Sequence, residues 1–360
     1  MLVNLQPLNT QLRRLQEIPT TFFQNIEAAA AFDDALFPNW IDTAFAGTQI
    51  KNKFRDIYNK YKAIADPAER ARIIDAFTNN NQIENLCRNQ AGLHCIPLAD
   101  LHNSIRAEID TAFLYLYNTA INHHAFNTFV TDNVRNAIDR FIQACNMQIC
   151  PICGLEGYMN LDGQGRIALD HWLCKDIFPV TAVNFDNLFP LGDKCNGRPA
   201  KGDTNILLDA HGNRAIAFYP FLNHHSITIT FSYNNEPSIN PLTDADWNLT
   251  MTPVDPNEQV LFDSWNSIFN IIERYRDYFR KYVFRLWEND YKDFIAESGI
   301  GHANDIAELR NKFTVWRASF KKNSNFAAIL HHAFIDNMIH NCSDAYLFSL
   351  CENFKSQAAA

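Results

Sequence analysis

Long hydrophobic runs are missing from this chain of 360 residues. No stretch approaches the ~20 consecutive apolar residues that a membrane-spanning helix needs, so no membrane association is expected. The opening segment, MLVNLQPLNTQLRRLQ, lacks the charged, then apolar, then small order of a secretory leader, and a cytoplasmic location is the expectation. Paired cysteines are lacking too: nine scattered through a large chain argue against a disulfide framework and for free thiols with one metal site. There is no internal repeat and no low-complexity segment, which sets aside solenoids and arrays. Basic charge is also short. A formal net charge of −9 is unusual for a protein that grips a polyanion.

What is present is globular: nearly half the residues are apolar, with an unusual load of phenylalanine. Residues 1–145 read as a helical domain, because apolar positions recur at three- and four-residue steps. The series Val134, Ala137, Ile138, Phe141, Ile142, Cys145 is an example, and it makes Cys145 a packing residue. From 146 to 205 the texture changes to cysteine-bearing turns, a DGQG turn and several prolines, as in a small irregular module with short strands. From 206 to 255 the reading is β, with NRAIAFYP after an HGN turn, and SITITFSY alternating Ile227, Ile229, Phe231 and Tyr233 against Ser and Thr. Leu261, Trp265, Ile268, Ile272, Tyr275, Phe279, Tyr282 and Leu286 then predict one continuous seam on a long helix, and helices continue to about 355. The fold class expected is α+β, mostly α-helical. A small ββα module sits between a helical N-terminal domain and a β-plus-helical C-terminal region, 206–360.

The chemistry concentrates between 150 and 203. Cys150-Pro-Ile-Cys153-Gly is followed by Asp170-His171 closing an apolar RIAL, by Asn187-Leu188, by Cys195-Asn196 and by Lys201-Gly202-Asp203. A neutral imidazole such as His171 can take a proton from water near pH 7, and a carboxylate such as Asp170 is the hard oxygen ligand that magnesium prefers. Alternation along a strand puts the two on opposite faces. The adjacent pairs His123-His124, His224-His225 and His331-His332 diverge on any regular element and read as structural.

This order of residues, over about 60 positions, resembles the HNH endonuclease family, whose ββα-metal motif is two short strands and a helix around one divalent cation. The string D-H-x-L-x-K…F-P…N-L-x-P…C-N…K-G-D is similar to a bacterial branch found in phage-defence effectors. The resemblance implies a hydrolase that cuts phosphodiester bonds of nucleic acid, DNA in preference to RNA, with little sequence preference. It implies His171 as the base, Asn187 orienting it, and Asp170 with Asn196 holding Mg²⁺ or Mn²⁺. Arg198 and Lys201 would lie near substrate phosphates, with Lys175 a weaker candidate. The alternatives are a non-catalytic nucleic-acid-binding or adaptor protein on the same fold, and an RNA-cleaving effector.

Two departures from that pattern stand out. Where the branch carries a second C-x-x-C, this chain has Gly192-Asp193-Lys194-Cys195, so Cys150, Cys153 and Cys195 are left to hold a structural Zn²⁺ with an unknown fourth ligand. Cys174 is the nearest candidate; the other possibility is a knuckle without metal. Pro199 is expected to shorten the helix that begins near Asn196. Residues 151–205 carry five cations against seven carboxylates, whereas 274–322 carries eleven against seven. Affinity for a phosphate backbone is therefore expected from the cluster RYRDYFRKYVFR, a protein partner or a homo-oligomer.

Overall fold

The fold is that of a computed structural model, which describes residues 5–145, 149–156, 169–197, 200–222, 226–233, 247–283, 306–319 and 328–349. It is mostly helical, with two small antiparallel sheets. Two compact units emerge: one comprises Asn4–Asn146 with Leu161–Asn223, the other Met1–Val3, Met147–Asn160 and His224–Ala360.

The first unit opens with helices α1 (Glu17–Asn25), α2 (Ile41–Phe45), α3 (Ile50–Ala63), α4 (Pro67–Asn80), α5 (Ile83–Cys87), α6 (Arg106–Asn118), α7 (His124–Val130) and α8 (Val134–Cys145). Local chemistry sets their ends. Asp66 accepts from the Ala68 N–H and Pro67 fills the first helical position, where its missing N–H costs nothing. Burial of Ile50, Phe54, Ile57, Tyr58 and Tyr61 gives α3 one apolar stripe. Much of the phenylalanine is spent here: Phe22 meets Phe54 edge-on at 4.9 Å and Phe23 stacks on Phe77 at 4.7 Å. Each such ring removes enough apolar surface from water to contribute on the order of 2 kcal/mol.

Within the same unit, strands β1 (Leu169–His171) and β2 (Leu188–Pro190) pair antiparallel, Asp170 opposite Phe189 and His171 opposite Leu188. A single helical turn, α9 (Asp193–Asn196), follows. It ends at Asn196, ahead of Pro199, with Gly197 at its C-cap. The segment 213–220, expected as a strand, is not one. After the turn at Gly212 (φ +81°) its backbone bonds go elsewhere, Ala215 N–H to the Leu207 carbonyl and Ala217 N–H to that of Cys87; among the described residues it pairs with no strand beyond an isolated bridge between Arg214 and Leu208.

The second unit carries β3 (Ile227–Tyr233) and β4 (Trp247–Pro253), antiparallel with Phe231 opposite Leu249. The expected alternation holds: Ile229 and Phe231 are buried while Thr228, Thr230 and Ser232 face out. The long single helix does not form. Helix α10 (Gln259–Phe269) stops at Asn270, which adopts a left-handed conformation (φ +49°), and α11 (Ile271–Tyr278) restarts before a π-helical turn, Phe279–Val283. Asn266 makes the break: its carbonyl accepts from Asn270 N–H at 2.7 Å and its side-chain Oδ1 from Ile272 N–H at 3.0 Å. The buried stripe is re-phased as Phe262, Trp265 and Phe269, then Ile271, Tyr275 and Phe279, leaving Leu261, Ile268 and Ile272 half-buried. Leu286 lies outside the described residues. Phe279 packs on Phe231 (4.7 Å), Trp247 (4.6 Å) and Phe334 of the helix Ala328–Asn341 (5.1 Å). No helix among the described residues is long and apolar enough to cross a membrane.

Candidate functional site

The strand β1 carries Asp170 and His171 side by side, and both are largely enclosed. Helix α6 supplies the cover. The Tyr117 hydroxyl donates to the Leu169 carbonyl at 2.6 Å, and its ring meets the His171 ring edge-on at 4.3 Å. Burial, followed by the negative charge of Asp170, pushes the Tyr117 hydroxyl up to about 12, so it stays a donor at neutral pH.

His171 is 5% exposed, and its Nε2 lies 3.0 Å from the Ala182 carbonyl. A carbonyl only accepts, so this contact assigns the proton to Nε2 and leaves Nδ1 as the basic nitrogen. Burial pushes the imidazole down to about 3, with the Ala182 carbonyl opposing and Lys201 reinforcing the fall. The ring is therefore neutral at pH 7, the protonation state that a base requires.

Asn187 is fully buried and does not bond His171 directly. Its Oδ1 accepts from Leu173 N–H at 2.7 Å, and its Nδ2 donates to the Thr181 hydroxyl at 2.9 Å and the Leu173 carbonyl at 3.1 Å. Thr181 precedes Ala182. Asn187 thus holds the turn whose Ala182 carbonyl receives the Nε2 proton. Asn81 of the first unit braces the same turn, donating to the Val180 carbonyl at 3.2 Å.

On the other face of β1, Lys201 Nζ lies 2.8 Å from Oδ2 of Asp170, and Lys201 is only 1% exposed. The expected substrate-facing cation is thus enclosed and committed to the expected metal ligand. Burial raises the Asp170 carboxyl above its ordinary value, and the Lys201 ammonium pulls it back. Asn196 stands at the end of α9, half-buried, and its carbonyl accepts from Gly202 N–H at 3.1 Å. Lys175 pairs with the neighbouring Asp176 at 2.6 Å, and Arg198 lies outside the described residues. In donor chemistry, the Asp170 carboxylate and Asn196 amide suit a hard divalent cation, but Lys201 already neutralises the carboxylate.

The thiols form a second centre. Gly154, at φ +63°, lets its N–H reach the Cys150 carbonyl at 2.8 Å, and Cys150 N–H returns to the Glu156 carbonyl at 2.7 Å. This loop points the Leu155 N–H at Cys153 Sγ (3.4 Å) and sets the Cys153 thiol 3.8 Å from Glu156 Oε1. The ligand atoms of Cys150, Cys153 and Glu156 lie within 4.8 Å of one another. Cys150, Cys153 and Glu156, all in the second unit, make a group that can offer ligands to a metal ion such as zinc. Glu156, which the sequence reading missed, joins the two thiols of the knuckle, and Cys174 is not in the group. Glu156 stands three residues after Cys153, a spacing that one turn of loop can close; nothing in the sequence pointed to Tyr117.

The cluster 274–285 carries less free charge than its composition suggests. Arg276 pairs with Glu273, Arg280 and Lys281 with Asp277, and Arg274 with Glu156 at 3.9 Å. Arg285 lies outside the described residues. Comparison of the chain with protein-family models, curated proteins and solved structures finds no match.

Proposed function

We propose that this chain is a metal-dependent endonuclease of the HNH kind, hydrolysing phosphodiester bonds of nucleic acid, with DNA favoured over RNA and with a role as an effector in bacterial anti-phage defence. One observation carries the reading: two short antiparallel strands and a helical turn set Asp170, a neutral buried His171 and Asn196 within one small module. His171, protonated at Nε2, takes a proton from the attacking water at Nδ1. Asn187, through Thr181 and Ala182, fixes that tautomer. Asp170 and Asn196 would hold Mg²⁺ or Mn²⁺, which supplies the positive charge that a phosphorane and its leaving oxygen need. Cys150, Cys153 and Glu156 would offer ligands to a structural zinc.

A second reading has its own support. His171 and Asp170 are both enclosed and both engaged by other groups of the protein, as they would be in a nucleic-acid-binding or adaptor protein that keeps the module without cutting. Supercoiled plasmid and structured RNA, incubated with purified protein and Mg²⁺ or Mn²⁺, separate the two. The nuclease reading expects nicked or linear products that disappear in His171→Ala with folding retained. Substrates left intact by wild type, or cut equally well by His171→Ala, favour the non-catalytic reading.

A further inference from the structure

Within the unit Asn4–Asn146 and Leu161–Asn223, a cavity of about 450 Å³ lies between the turn Gln11–Gln16 with α1, helix α4, and the connection from β1 to β2. Neither Asp170 nor His171 lines it. Its volume is that of an ordinary small-molecule site, and its wall mixes flat rings with polar groups. Phe23 and Phe77 stack on each other at 4.7 Å, and Phe185 lies under the Arg13 guanidinium at 5.9 Å. Asn81 Nδ2 donates to the carbonyls of Phe77 (2.8 Å) and Val180 (3.2 Å), which fixes its Oδ1 as the acceptor for Gln16 Nε2 (3.2 Å) and Asn184 Nδ2 (3.0 Å). Gln16 therefore keeps its amide nitrogen on Asn81, and its Oε1 is left enclosed with no hydrogen-bond partner. An enclosed acceptor without a donor is costly, and a bound N–H would relieve it. Arg13 and Asp186 share a single bond, Nη1 to Oδ1 at 2.7 Å; among the described residues Arg13 Nη2 and Asp186 Oδ2 have no hydrogen-bond partner.

We propose that this cavity binds a guanine base. Aromatic rings take any flat heterocycle by stacking, so the polar groups make the choice among bases. A guanidinium is the usual partner of the O6 and N7 acceptors of guanine, and a carboxylate accepts from neighbouring N–H donors, which guanine carries at N1 and N2. Guanine sets those two edges side by side, O6 next to N1–H, as Arg13 and Asp186 stand side by side here. Adenine has an amino donor where guanine has O6, so it would set a donor against the Arg13 donors, and the pyrimidines have no N7. Gln16 Oε1 adds an acceptor to a site whose ligand must bring donors. The base can come from a free nucleotide or from a nucleic-acid strand, since the recognition chemistry is the same. None of these side chains serves in the cleavage chemistry proposed above, so the inference stands apart from the nuclease reading.

Calorimetric titration of the full chain with guanosine and with adenosine, in buffer without divalent metal, tests the site independently of any cleavage. Guanosine is expected to bind and to raise the melting temperature, with adenosine about ten-fold or more weaker. The Asp186 side chain is 52% exposed, so Asp186→Asn is expected to stay folded. It should lose about ten-fold or more in guanosine affinity, because an acceptor for the N1–H and N2–H pair is gone. No guanosine binding at millimolar concentration overturns the proposal. So does adenosine binding as tightly as guanosine, or guanosine affinity unchanged in Asp186→Asn. Guanosine monophosphate and a guanine-bearing single strand, each set against its adenine counterpart, then identify the source. A guanine preference confined to the mononucleotide supports a free nucleotide as the ligand, and one shown by the strand supports a base presented by nucleic acid.

Discussion

Asn187 Nδ2 donates to the Thr181 hydroxyl at 2.9 Å, one residue before the carbonyl that receives the Nε2 proton of His171. Both side chains are fully buried, so neither bond competes with water. Thr181→Val leaves Asn187 without that acceptor and should cost about 1–3 kcal/mol in urea unfolding, with Asn187→Ala costing more because Leu173 N–H is orphaned as well. A purely structural role would lower stability and leave the acid limb of the cleavage profile in place. A positioning role should also move that limb in Thr181→Val, measured as cleavage rate against pH.

The thiol group makes a metal prediction. The purified protein should contain about one zinc per chain by elemental analysis, and Cys150→Ser or Cys153→Ser should lose it and destabilise by about 3 kcal/mol or more. Glu156→Cys should retain the metal and Glu156→Ala should weaken it. A strong chelator should lower the melting temperature of wild type and leave the two serine variants unmoved. Equal melting temperatures with and without chelator would show that packing alone holds the loop.

Asp132 predicts a pH dependence away from the site. Burial by itself would raise its carboxyl, but the Thr10 hydroxyl (2.7 Å) and Arg140 guanidinium (2.6 Å), with the N–H groups of Asn133 and Gln11, hold it below the usual carboxylate value. A depressed carboxylate adds stability that is fully present above its unfolded pKa and is lost as pH falls through the folded one. Unfolding free energy should thus drop below about pH 4 in wild type. In Asp132→Asn it should start about 2 kcal/mol lower at pH 7 and fall less steeply.

Asn270 separates a helix break from a continuous helix. Its left-handed conformation suits glycine and penalises β-branched residues. Asn270→Gly should be near neutral, whereas Asn270→Val should cost about 1–2 kcal/mol in thermal or urea unfolding. A neutral Asn270→Val would indicate that α10 and α11 run on as one helix.

Much of the architecture was legible because it depends on neighbours in the chain. The three- and four-residue apolar steps of residues 1–145 became helices, and the alternation of 227–233 became a strand with the expected faces. Apolar spacing could not reveal the break at Asn270, since a side chain of Asn266 makes it and the stripe re-phases by a residue on either side. Nor could alternation exclude 213–220 from a sheet: a strand needs a partner, and this segment gives its N–H groups to the loop at Leu207 and to Cys87.

At the candidate site, sequence by itself determined the inventory: a carboxylate and an imidazole adjacent on one strand, an amide on each of two later elements, and thiols in a tight knuckle. Tertiary structure decided what each group touches. Enclosure under Tyr117 makes His171 neutral, Asn187 bonds Thr181 beside Ala182, Glu156 joins Cys150 and Cys153, and Lys201 pairs with Asp170. Each of these depends on desolvation or on a partner brought close only by folding, and free energies of that kind are fixed by three-dimensional surroundings that the order of residues does not spell out.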